Sequence, residues 1–196
     1  MVSYSIPISL KKLHSYASHV THASFVSTLD SITPDFALTP QILYDLGAVF
    51  YIRTDQPQTL MQFDNCNNIN FRRCKNAYNT SASPGGTFSG EGALLGMRGS
   101  PLGLGSGIGG SIRGPAAFNG AWGLKSTTKR LSLVGVLSAA DDFYGDGITP
   151  VVGPMANSVD DLELFMKSYL SKEPGIWINN VSHYRGEMSR PLNHLN

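Results

Sequence analysis

Short apolar runs alternate with long polar stretches along the chain, and the spacing of the apolar positions predicts its elements. From Ser3 to Leu10 the apolar residues Ile6, Ile8 and Leu10 fall on alternate positions, the period of a strand. His14 to Asp35 has weak periodicity and many Ser and Thr, which predicts a loop with one short helix. Thr39-Pro40 has the form of a helix start, with a hydroxyl N-cap before proline. Ile42, Leu43 and Leu46 supply that helix's apolar face and Gly47 its stop. Ala48 to Ile52 is an apolar run of β type, so a strand directly follows a helix, as in an α/β layer with parallel neighbours. Asp64 to Ser83 is polar and Asn-rich and is predicted as a long loop.

The second half continues the alternation. Gly90 to Met97 predicts a helix with Leu94 and Leu95 buried, Leu102 and Leu104 a short strand, and Ile112 to Phe118 another helix. Thr127 to Val136 is mixed, and Asp141 to Gly147 is acidic and turn-rich. The clearest helix follows Ser158, an N-cap with Asp161 three residues on to complete a capping box. Val159, Leu162, Phe165, Met166 and Tyr169 form its apolar stripe. Beyond Pro174 the pattern dissolves into a polar tail.

Composition narrows the classes of function. With 15 Lys and Arg against 14 Asp and Glu, the net charge of +1 gives no electrostatic case for nucleic acid or an acidic substrate. No segment approaches the roughly 20 apolar residues that span a bilayer, and Met1 to Leu10 lacks the basic start of a signal peptide. The expectation is a soluble, cytoplasmic protein without a transmembrane segment. Cys66 and Cys74 are read as reduced thiols, since one pair is no disulfide framework. His19 and His22 have the spacing of one helix face, open to a metal, but two surface histidines explain them more simply. Asp141, Asp142 and Asp146 do not fit EF-hand spacing, so no metal is expected.

The candidate chemistry lies in the glycine-dense run from Ser83 to Lys125. Embedded Leu, Ile, Phe and Trp separate it from a flexible linker. Its densest part, Gly103 to Ser111, follows a short apolar segment and ends in a serine at the predicted start of a helix. A hydroxyl there stands beside free backbone N–H groups that can hold a developing oxyanion. A phosphate-binding reading of the same glycines is weaker. Gly105, Gly107 and Gly110 satisfy G-x-G-x-x-G, but Lys125 stands where the acid of a dinucleotide site belongs. The local order Gly-Leu-Lys-Ser is not the Gly-Lys-Ser of a Walker loop.

The same run resembles the signature of the amidase signature family of serine hydrolases: GGSSGGEGAL, then GSPLGLGTDIGGSIR, then PAAFNGxxGLKPT, in order and with matching spacing. SIPISLK at Ser5 to Lys11 is similar to that family's GIPxSLK. Arg53-Thr54-Asp55 falls where the family has KTN, Pro57-Gln58-Thr59 matches its PQ(S/T), and Asn67-Asn68 its NN. Arg72 and Arg73 stand where it favours Phe-Gly-Arg.

The resemblance implies an α/β fold, part of a mixed sheet flanked by helices. Residues 1–170 would be a partial amidase signature domain and 171–196 a polar tail. It implies hydrolysis of a linear carboxamide, a small-molecule substrate, through an acyl-Ser111 intermediate, with Lys11 as base and no metal or cofactor. The middle position of the relay falls on Thr87, and Ile108, Gly109 and Gly110, with Ser111 itself, would supply oxyanion-hole amides. Acetamidases and fatty-acid amide hydrolases are the nearest flavour. Departures from the pattern are Ser5 for glycine, Lys12 for an acid, Thr87-Phe88-Ser89 for Ser-Ser-Gly, and Gly107 for aspartate. Thr87 keeps a hydroxyl but adds a methyl, and Phe88 puts a ring beside a tight site. Family members are much longer at both ends, so a fragment, short isoform or decayed gene copy is expected. The alternative reading is a non-catalytic remnant that binds an amide or a partner, and self-association into a homo-oligomer stays open.

Overall fold

A computed structural model describes residues 5–63, 67–68, 72–137 and 148–172. Nine strands and four α-helices are assigned among them. In chain order they are β1 (Pro7–Lys11), β2 (His19–Val20), β3 (Ile32–Thr33), α1 (Leu38–Asp45), β4 (Val49–Thr54), β5 (Asn67–Asn68) and β6 (Arg72–Arg73). Then follow α2 (Ser89–Gly96), β7 (Leu102–Gly107), α3 (Arg113–Phe118), β8 (Trp122–Gly123), β9 (Val151–Ala156) and α4 (Val159–Leu170).

Five strands form one mixed sheet in the order β4-β1-β7-β9-β8. β1 runs parallel to both β4 and β7, as the helix-then-strand pattern predicts, while β9 is antiparallel to β7 and β8. Strand alternation divides β1 between two faces. Ile8 and Leu10, with Leu102, Leu104 and Val152, meet Ile42 and Leu43 of α1 and Leu162, Phe165 and Tyr169 of α4 in one apolar cluster. The opposite face carries a second cluster of Phe88, Leu95, Ile112, Ala116, Val151 and Met155, built by α2 and α3. The fold is therefore α/β, a mixed sheet with helices on both sides.

Several local expectations are corrected. Thr39 is not the N-cap of α1, because the helix begins at Leu38. Its hydroxyl is taken by the Ser132 carbonyl at 2.9 Å and lies 3.3 Å from the Tyr169 hydroxyl, while the Leu38 N–H bonds the Val134 carbonyl at 3.0 Å. Tertiary partners thus satisfy the helix start in place of a local cap. β9 was not predicted: Gly153 and Pro154 interrupt it, and it is buried along its whole length, so it shows no alternation. The predicted loop from Asp64 to Ser83 contains the β5–β6 ribbon, and the stretch from His14 to Asp35 contains the β2–β3 ribbon and a 3-10 turn at Val26–Thr28. Ser158 caps α4 as predicted, accepting from the Asp161 N–H at 3.1 Å, but Val159 is half exposed and lies outside the stripe. The acidic stretch from Asp141 to Gly147, Cys66 and the polar tail beyond Pro174 lie outside the described residues.

Candidate active site

Two parallel strands, β1 and β7, end side by side, and the chain leaves both at the same edge of the sheet. Crevices beyond the carboxyl ends of parallel strands are where α/β folds bind ligands. β1 ends on Lys11, and β7 ends on Gly107 and runs into the loop Ile108–Ser111 before α3. The crevice between these ends is a cavity of about 340 Å³. Lys11, Thr87, Ser111, Ile108, Gly109 and Gly110 all line it, so every residue singled out from the sequence meets in one place. Its remaining walls are largely apolar, from Leu60, Met61, Phe63, Leu133, Val136 and Leu137.

Lys11 is fully buried, and its Nζ donates to Thr87 Oγ1 at 2.7 Å. Thr87 follows a cis peptide bond from Gly86 and precedes α2. Of the two hydroxyls near the altered motif, Thr87 therefore makes the contact with the lysine; Ser89 opens α2 and does not line the cavity. Phe88 does not crowd the cavity. Its ring is fully buried on the α2–α3 face, with its centroid 4.8 Å from Lys11 Nζ. Ser111 is half-buried at the turn into α3, at the loop-to-helix junction expected of it. Among the described residues, the amides of Ile108, Gly109, Gly110 and Ser111 donate to none of the backbone carbonyls used by surrounding turns and loops.

Arg53 does more than occupy the place of a family lysine. Its Nη2 donates to the carbonyls of Lys12 at 2.7 Å and His14 at 2.9 Å and to Thr21 Oγ1 at 3.2 Å, and its Nη1 donates to the Val20 carbonyl. The guanidinium thus gathers the chain that leaves Lys11. Lys12 turns to Asp55, at 4.0 Å.

Two buried polar groups near Lys11, Glu91 and His14, are not among the residues singled out from the sequence, and His22 departs from its expected surface position. Glu91 is fully buried; burial lifts its pKa to about 7 against the opposing pull of hydrogen bonds from Ser9 and Thr54 and of the Lys11 charge. His14 is fully buried, and burial, reinforced by the charges of Lys11 and Arg53, lowers its pKa to about 3. His22 is buried rather than at the surface, and its Nδ1 accepts from the Ser24 N–H at 3.1 Å. His19 is exposed in a strand, so the two share no helix face. The glycine run did hold a signal for Glu91, which is its sole acid.

The chain matches the Amidase family over residues 4–192. It is 40% identical to an acetamidase of Emericella nidulans over 171 residues, covering 87% of this chain and 31% of that protein. It is 37% identical to fatty-acid amide hydrolase 1 of Sus scrofa, covering 87% of this chain and 29% of that protein. A solved fatty acid amide hydrolase superposes with a TM-score of 0.80 at 48% identity, over 85% of this chain and 29% of the other. The peptide amidase of Stenotrophomonas maltophilia superposes with a TM-score of 0.70 at 29% identity, over 83% of this chain and 33% of the other. The chain belongs to the amidase signature family. It spans about a third of the length of the curated relatives it matches.

Proposed function

We propose that the chain hydrolyses linear carboxamides through an acyl-enzyme on Ser111. A serine hydroxyl is a poor nucleophile at neutral pH and needs a base. The relay runs with Lys11 Nζ in its neutral form: Thr87 takes the Ser111 proton as it passes its own to the Nζ lone pair, leaving Lys11 as the ammonium. Ser111 Oγ then bonds to the amide carbon, and the amides of Ile108, Gly109, Gly110 and Ser111 receive the carbonyl oxygen as it gains charge. The carbon–nitrogen bond breaks, the departing amine or ammonia takes the proton back through Thr87, and water cleaves the Ser111 ester to release the acid. The apolar walls of the cavity suit an uncharged acyl group.

One observation carries this reading: Lys11 Nζ and Thr87 Oγ1 stand 2.7 Å apart on the wall of the cavity that Ser111 also lines. The test is release of amine or ammonia from a panel of short- and long-chain neutral amides by the full chain and by Ser111→Ala. Turnover that Ser111→Ala abolishes supports the proposal. Turnover unaffected by that change, or binding of amides without turnover, favours the alternative of a non-catalytic remnant.

A further inference from the structure

Glu91 has no part in the proton path from Ser111 to Lys11, yet it sits fully buried in the first turn of α2. Its Oε2 accepts from Ser9 Oγ at 2.5 Å and its Oε1 from Thr54 Oγ1 at 2.6 Å. Ser9 lies two residues before Lys11 and shares its face of β1. Thr54 is the register partner of Lys11 on β4. Thr87 lies four residues before Glu91, at the entrance to the same helix. One carboxyl thus joins the segment that carries Thr87 to the two strands that flank and carry Lys11. The sheet makes room for it: a Cβ on Gly103 of β7 would fall 2.2 Å from Oε2. Ser9 is held in turn, within 3.2 Å of Ser100 Oγ and 3.3 Å of the Leu102 carbonyl.

Packing alone does not call for this arrangement. A buried carboxyl is costly, and an apolar side chain fills such a space more favourably. Directional bonds from two strands to one helix turn do fix a register, which apolar contact does not. We infer that Glu91 is a positioning residue for the relay: by clasping Ser9 and Thr54 it sets the α2 segment so that Thr87 meets Lys11. This rests on the reading of Lys11, Thr87 and Ser111 given above.

The test uses Glu91→Ala and Glu91→Gln in the full chain, a fluorophosphonate as the probe of Ser111, and a crystal structure of the alanine variant. A placement error of about 1 Å costs on the order of 10²-fold in rate. Glu91→Ala is expected to lower the limiting rate of Ser111 modification by about that factor with the half-saturating probe concentration unchanged. Glu91→Gln keeps one oxygen to accept from a hydroxyl and should recover most of the rate. The alanine crystal should show Lys11 Nζ and Thr87 Oγ1 beyond hydrogen-bond distance. The inference is overturned if Glu91→Ala reacts at the wild-type rate, if its loss merely follows the folded fraction, or if the Lys11–Thr87 bond persists. Should Glu91→Ala fail to fold, Ser9→Ala and Thr54→Val each remove one arm of the clasp, and unchanged rates in both overturn it. A wild-type chain whose Ser111 does not react defeats the relay reading instead, and the Lys11–Thr87 distance in the crystal alone then decides the role of Glu91.

Discussion

The Phe88 ring fills the space where a side chain on Gly105 would begin: a Cβ there would fall 0.9 Å from Cζ of the phenylalanine. The ring that departs from the family pattern is thus part of the core beneath the cavity. Gly105→Ala is expected to destabilise the fold by about 1–3 kcal/mol or more, since the ring is fully buried and has nowhere to move. Phe88→Leu should recover part of that loss when combined with it, because the two positions share one space. Urea unfolding of the two single variants and the double variant measures the coupling, and strict additivity would contradict it.

Thr87 offers a cleaner handle on the chemistry than Phe88. Replacing Phe88 with a small residue empties a buried site, at about 3–5 kcal/mol. Thr87→Ser keeps the hydroxyl that meets Lys11 and removes only the methyl, and the expected outcome is turnover equal to or above that of the parent. Thr87→Val keeps the shape and removes the hydroxyl. It should lose about 10²–10⁴-fold in amide turnover, the usual worth of positioned general-base assistance. Equal rates for the valine and serine variants would remove Thr87 from the relay.

The Arg53 clamp predicts a stability effect. Arg53→Met leaves four acceptors, on Lys12, His14, Val20 and Thr21, without their donor. The expected cost is about 1–3 kcal/mol, and Arg53→Lys should restore only part of it, because one ammonium cannot reproduce the planar fork. Chemical denaturation of the three proteins checks the order.

Stability should depend on pH through His14 and Glu91. Between pH 3 and 6.5 the unfolded chain binds a proton at His14 that the folded chain refuses, so stability rises with pH over that range. Between pH 4.5 and 7 the folded chain keeps a proton on Glu91 that the unfolded chain releases, so this contribution declines with rising pH. The two offset each other between 4.5 and 6.5, which predicts a plateau there, with losses towards pH 3 and again from 6.5 to 7. Urea midpoints across this range measure it. His14→Leu should flatten the acid side and Glu91→Gln the neutral side.

The fold was legible wherever one face of an element met water and the other the core. Ile8 and Leu10 on β1, and Leu162, Phe165 and Tyr169 on α4, show their periods plainly. β9 was illegible because both of its faces are buried. The lines of the candidate site were readable from the glycine run and the SLK segment, since the backbone loop and the strand end that carry Ser111 and Lys11 follow those motifs. The supporting polar groups were not. Ser9, Thr54 and Glu91 come from three separate elements, and only the sheet register brings them together. Thr39 looked like a cap because its true partners, Ser132 and Tyr169, are far along the chain.

If Ser111 is the nucleophile of a relay through Thr87 to Lys11, a fluorophosphonate applied to the purified full chain, followed by peptide mapping, should give one covalent adduct, on Ser111. The adduct should be absent in Ser111→Ala and form much more slowly in Lys11→Met and Thr87→Val. A wild-type chain left unlabelled, or labelled at another residue, would rule out Ser111 as the nucleophile.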